Sequence, residues 1–95
     1  MPTQDHSLLL HALLNNVTLL AGHVTLGNQQ QAQDRAGTLA GLLTDMTHMS
    51  MHRKNHKMHK GLQTAYVALT QASGLNLAVV KEVRAHICIA FGTTP

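Results

Sequence analysis

The residues most able to do chemistry lie together in DMTHMSMHRKNHKMHK, residues 45 to 60, which holds four histidines, four methionines and four of the seven basic residues of the chain. At about 100° per residue, His48, His52, His56 and His59 fall within roughly 80° of one another on an unbroken helix. Imidazoles four apart on one helix face can share a transition metal, and thioethers add a preference for a soft ion such as Cu(I). His48 with Met51, and Met49 with His52, stand three apart. Arg53, Lys54, Lys57 and Lys60 give the same stretch a second chemistry, attraction for a polyanion or an acidic partner. Three readings follow, in this order: a solvated basic helix face; a surface for a partner or polyanion built from His48, His52, Arg53, Lys54, His56, Lys57, His59 and Lys60; and a metal held by the four histidines. Apart from such a transition metal, no cofactor is expected.

Elsewhere the chain offers little for catalysis. Asp5, Asp34, Asp45 and Glu82 are scattered, with no paired carboxylates for general acid-base work, no Gly-rich phosphate cradle and no nucleophile elbow. His86 and Cys88 stand two apart, so on one helix they point about 200° from each other. Cys88 reads as a small, half-buried hydrophobe without a disulfide partner. The expectation is a protein that binds and is not an enzyme.

Such a surface needs a scaffold, and composition indicates which kind. Ninety-five residues suffice for one domain, 1–95, with a single core. One Tyr, one Phe and no Trp leave Leu, Ala, Val and Met to build it, which favours helices over strands. A net charge of +3 with histidines neutral favours anionic partners, more so as pH falls toward the intrinsic histidine value near 6.5. The start MPTQDHS lacks a basic n-region, and His11, Asn15, Asn16 and His23 interrupt the first leucine-rich stretch. A cytoplasmic protein with no membrane span is therefore expected.

Periodicity predicts four helices, about 5–27, 29–48, 51–73 and 76–91, packed as an all-α compact four-helix bundle or a helical-hairpin homodimer. Start signals at Pro2, Thr3, Asp5 and Ser7 precede an apolar face of Leu9, Leu10, Leu13, Leu14, Val17, Leu20, Ala21 and Val24. Opposite it run His11, Asn15, Thr18, Gly22 and Thr25. Ala32, Ala36, Leu39, Leu43 and Met46 form a seam that, continued, would bury Ser50, Arg53 and Lys57. A different register, Met51, Asn55, Met58, Leu62, Ala65, Leu69 and Ala72, replaces it. The change of phase predicts a turn near Thr47 to Ser50, with one long helix as the alternative. A fourth arc comprises Val79, Val80, Val83, Ile87, Ala90 and Phe91.

Three local resemblances add expectations. The His-x-x-Met and Met-x-x-His spacings are similar to repeats of periplasmic silver and copper sponges, within this segment alone. His11 followed by Asn15, with Gly22 and a Leu26-Gly27 ending, resembles the first helix of the dimerisation and phosphotransfer hairpins of citrate-type sensor kinases. Ala12 stands where that family usually has an acidic residue, so the resemblance implies at most a dimerising hairpin. Residues 66 to 87, YVALTQASGLNLAVVKEVRAHI, resemble a helix-turn-helix. Leu69 precedes the turn, Gly74 supplies positive φ, and Leu75, Val80 and Val83 pack the second helix. That resemblance implies DNA contact by Asn76, Lys81 and Arg84. The leading expectation is a small regulatory or adaptor protein that docks on a protein partner through helical faces and the basic histidine segment, as a homodimer. The short, basic, motif-poor character also suits a phage or plasmid accessory factor that inhibits a host system. A DNA-binding regulator and a metal-binding protein are the alternatives.

Overall fold

The computed structural model describes the backbone of residues 2–52 and 55–93 and the side chains of 8–49 and 55–93. Within these residues the chain forms α1 (Pro2–Leu26), α2 (Gln29–His52), α3 (His56–Thr70) and α4 (Leu77–Ala90). Each helix packs on its sequence neighbours, and α4 returns to α1. Among the described residues neither diagonal pair, α1 with α3 or α2 with α4, is in contact. This is a four-helix bundle of all-α class with short antiparallel connections. Its longest dimension, 39 Å, is about the length of a 25-residue helix, and its radius of gyration, 12.7 Å, matches the ~12 Å of a compact chain of this size.

The core is aliphatic, as composition requires. Leu13, Val17 and Leu20 of α1 meet Leu39, Leu43 and Met46 of α2, Met58, Leu62, Ala65 and Leu69 of α3, and Val80, Val83, Ile87 and Ala90 of α4. Cys88, expected at a half-buried position, is fully enclosed.

Glycine ends two helices by the same device. Gly27 (φ 75°) and Gly92 (φ 73°) take the left-handed conformation that side chains with a Cβ avoid. The Asn28 N–H then donates to the His23 carbonyl at 2.9 Å, and the Thr93 N–H to the Cys88 carbonyl at 2.9 Å. These are the long closing bonds of Schellman caps.

Three expectations are corrected. The break between the second and third helices lies between His52 and His56 and not at 47–50: α2 runs through to His52, so Met51 belongs to it. The Thr44 and Thr47 hydroxyls donate back to the Ala40 and Leu43 carbonyls of their own helix, at 2.9 and 2.6 Å, and start nothing new. Asn55, placed by its register in the core, is exposed and caps α3, its Oδ1 accepting from the Met58 N–H at 3.2 Å. Helix α3 also stops at Thr70, three residues before Ser73.

The second correction concerns residues 66 to 87. Gly74 is not among the glycines of positive φ, and residues 71–76, twice the span of a helix-turn-helix turn, join the two helices. Gly61, in the first half of α3, lies against Ala90, the last residue of α4. The pair is thus an antiparallel hairpin in contact along its length, where a helix-turn-helix would cross at a steep angle. The third concerns hydropathy. Leu8–Leu26 is long and apolar enough to cross a bilayer by length and composition, its polar interruptions notwithstanding (mean hydropathy 1.3). In the bundle Leu13, Val17 and Leu20 seal the core, yet just 22% of that stretch is buried.

Candidate functional site

The break between His52 and His56 decides what the histidine and lysine segment can do. His48 and His52 belong to α2, and His56 and His59 to α3, so the single stripe that an unbroken helix would present does not form. His48, His56, Lys57 and Lys60 are exposed, and His59 is half-buried. The side chains of His52, Arg53 and Lys54 lie outside the described residues. Among those described, no three His, Cys, Asp or Glu side chains converge as metal ligands would.

Helix α3 instead divides the segment between two grooves. Toward α2, His59 Nδ1 lies 3.2 Å from the Thr47 carbonyl oxygen, to which it donates when it carries the proton. This contact ties the first turn of α3 to the last part of α2. Beside it, Thr44, Thr47, His48, Gln63 and Tyr66 line a shallow groove of about 230 Å³. Toward α4, Lys57, Lys60, Gly61, Thr64, His86 and Ile89 line another of about 250 Å³. Gly61 makes this second groove narrow, because the absence of its side chain lets α3 settle onto Ala90. Its lining includes Ile89, an apolar side chain left 51% exposed, together with the lysines Lys57 and Lys60. His86 is the third polar group, 3.8 Å from Glu82 one turn earlier on α4.

Lys57 and His86 stand far apart in sequence, so no spacing within either helix announces this groove. The available signal was Ile89, an aliphatic residue on the polar side of its helix.

The residues proposed for DNA contact scatter differently. The Asn76 side chain caps α4, its Oδ1 accepting from the Val79 N–H at 3.0 Å. Lys81 and Arg84 are exposed one turn apart on α4. His11, the counterpart of a phosphorylated histidine in the kinase resemblance, is exposed on α1 beside the equally exposed Asn15.

At the opposite end of the bundle an unforeseen polar contact joins α1 to α2. Arg35 Nη1 donates to Asn16 Oδ1 at 3.0 Å, while the Asn16 amide donates to the Ala12 carbonyl at 2.8 Å. Arg35 Nε is buried and without a hydrogen-bond partner. Arg35 also lines an open depression of about 360 Å³ with His23, Gln31, Asp34 and Thr38. The nearby carboxylate of Asp34, which accepts from Gln30 Nε2 at 3.1 Å, makes this end less suited to anions than the α3–α4 groove. No family model matches the chain, nor does any curated protein or solved structure.

Proposed function

We propose that this protein is a small non-enzymatic regulatory or adaptor module that docks an acidic, amphipathic segment of a partner protein in the α3–α4 groove. One observation carries the reading: Lys57 and Lys60 line the same groove as the exposed Ile89. A helical peptide with leucines on one face and glutamates beside them would satisfy both features, burying apolar surface in the groove and pairing its carboxylates with the lysines. A nucleic-acid backbone would use the ammonium groups and leave Ile89 without a contact, which is why a protein partner ranks first. The lysine charges steer the encounter and the apolar contact holds the complex.

The test is a titration of isotope-labelled protein with a synthetic helical peptide of that leucine and glutamate pattern, followed by amide chemical shifts. The expected shifts cluster at Lys57, Lys60, Thr64, His86 and Ile89. The double change Lys57→Glu and Lys60→Glu weakens binding at least tenfold, and so does Ile89→Asp. A short DNA duplex serves as the rival probe. If it binds more tightly than the peptide, loses affinity steeply with salt and ignores Ile89→Asp, the surface is a polyanion site and the protein-docking reading fails.

A further inference from the structure

We infer that the outer face of α1 is a self-association surface, on which a second copy of this chain packs its own α1 in parallel. The inference does not depend on the α3–α4 groove, because α1 packs on α2 and α4 and lies diagonally across the bundle from α3. Leu8, Ala12, Asn15, Leu19, Gly22 and Leu26 follow one another at steps of four, three, four, three and four. That is the seam of a two-helix coiled coil, and it is not the seam α1 gives to its own bundle, which Leu13, Val17 and Leu20 supply. Leu8 is 70% exposed, Leu19 40% and Leu26 74%. Exposed leucines scattered singly are ordinary. These three fall within about 20° of one another around the helix and so form a ridge.

Three further features favour a second copy as the occupant. From Ser7 to Leu26 the helix has no Asp, Glu, Lys or Arg, so nothing permanently charged must be desolvated when two such faces meet. Gly22 is exposed, and a Cβ added there would meet nothing within 4 Å, which leaves room for a neighbouring helix to approach closely. The polar residues of this face, Asn15 with His11 beside it, argue against a lipid occupant although the stretch is long and apolar enough, since hydrocarbon would leave them without partners. In a parallel pair the two Asn15 amides face each other and can bond across the seam. An antiparallel pair would press each onto a leucine.

The seam rises about 27 Å over its length, and a contact wrapping roughly half of a helix about 11 Å across covers on the order of 500 Å² per copy. Two copies then bury about 1,000 Å², the lower limit for a specific interface, so the dimer forms reversibly and at high concentration.

Sedimentation of the full chain over a range of concentrations tests this. The expected result is a mass that doubles as concentration rises into the upper micromolar range. Gly22→Glu is expected to remain a single chain throughout with its thermal midpoint preserved or raised, because the new side chain has open space in the monomer and glutamate is the better helix former. Leu8→Cys should join two chains through residue 8 on mild oxidation. A wild-type chain that stays single at every concentration overturns the proposal, as does a dimer that Gly22→Glu leaves intact. Cross-linking of Leu8→Cys with Leu26→Cys in place of itself overturns the parallel arrangement. Binding to phosphatidylcholine and phosphatidylglycerol vesicles by a chain that is otherwise single would assign the face to lipid instead.

Discussion

Replacing Gly61 by alanine sets two well-understood effects against each other at one position. Glycine inside a helix costs about 1 kcal/mol relative to alanine, so the substitution alone would stabilise α3 by that amount. The bundle opposes it. A Cβ at residue 61 would lie 2.6 Å from the Ala90 Cβ, 2.8 Å from its Cα and 3.2 Å from its backbone nitrogen. Two of these three atoms are backbone, so no rotamer change relieves the crowding and α3 must move away from α4. Overpacking of this kind costs about 1 to 3 kcal/mol, and a rigid obstacle puts the cost at the upper end. The net expectation is a loss of about 1 to 2 kcal/mol, which for a chain of this size lowers the thermal midpoint by roughly 5 to 15 °C. Gly41→Ala is the internal control, since Gly41 is an exposed mid-helix position with nothing within 4 Å of the new carbon. It should raise the midpoint by a few degrees. Both variants are read by far-UV circular dichroism on heating and in urea. If Gly61→Ala stabilises as Gly41→Ala does, the close contact of α3 with α4 is wrong, and with it the narrow groove between them.

Asn55→Ala removes the cap that starts α3 and should cost about 1 kcal/mol, with amide exchange quickening first at Met58 and His59; unchanged exchange there would contradict the capping role. Leu62→Ala opens a void in the middle of the core and is expected to destabilise by about 2 to 5 kcal/mol, whereas a loss below 1 kcal/mol in urea denaturation would show that Leu62 is not enclosed. A double-mutant cycle of Asn16→Ala and Arg35→Met should give a coupling of about 1 kcal/mol for the bond between α1 and α2, and strict additivity would remove that bond from the description. Titration with Cu(I), Ni or Zn is expected to show weak binding without a fixed stoichiometry, because among the described residues no three His, Cys, Asp or Glu side chains converge as metal ligands would. A saturating one-to-one site lost on changing His48 and His59 to alanine would refute this.

The helical scaffold was legible where side-chain spacing and burial answer to the same cause. Leu39, Leu43 and Met46, like Met58, Leu62, Ala65 and Leu69, repeat at steps that fit one face of a helix, and all are buried. The change of register between the two series rightly demanded an interruption. Its position was not legible, because no Gly or Pro marks it and Asn55 suits two roles: its place in the apolar register hid the fact that asparagine is among the best residues for starting a helix. That error of a few residues decides how the site is read, since an unbroken helix aligns His48, His52, His56 and His59 while the broken one divides them between two chain segments. The α3–α4 groove was hidden for a different reason. It depends on Gly61 admitting Ala90, a distance between helices that neither helix encodes alone. Gly74 misled in the opposite way, as a glycine beside a serine invites a tight turn that the longer 71–76 connection does not need.

The cyclic order of the helices also sets an order of assembly. Pairs α1 with α2, α2 with α3 and α3 with α4 close over a few residues each, whereas α4 reaches α1 across residues 27–76. Bringing the ends of that span together costs about 2 kcal/mol more in chain entropy than closing the six-residue link between α3 and α4. The seam between the first and last helices is therefore expected to form last and open first. Substitutions along it should quicken unfolding while leaving the refolding rate nearly unchanged. The helix that carries the exposed leucine ridge is thus also the one whose release is expected to start the loss of the native state.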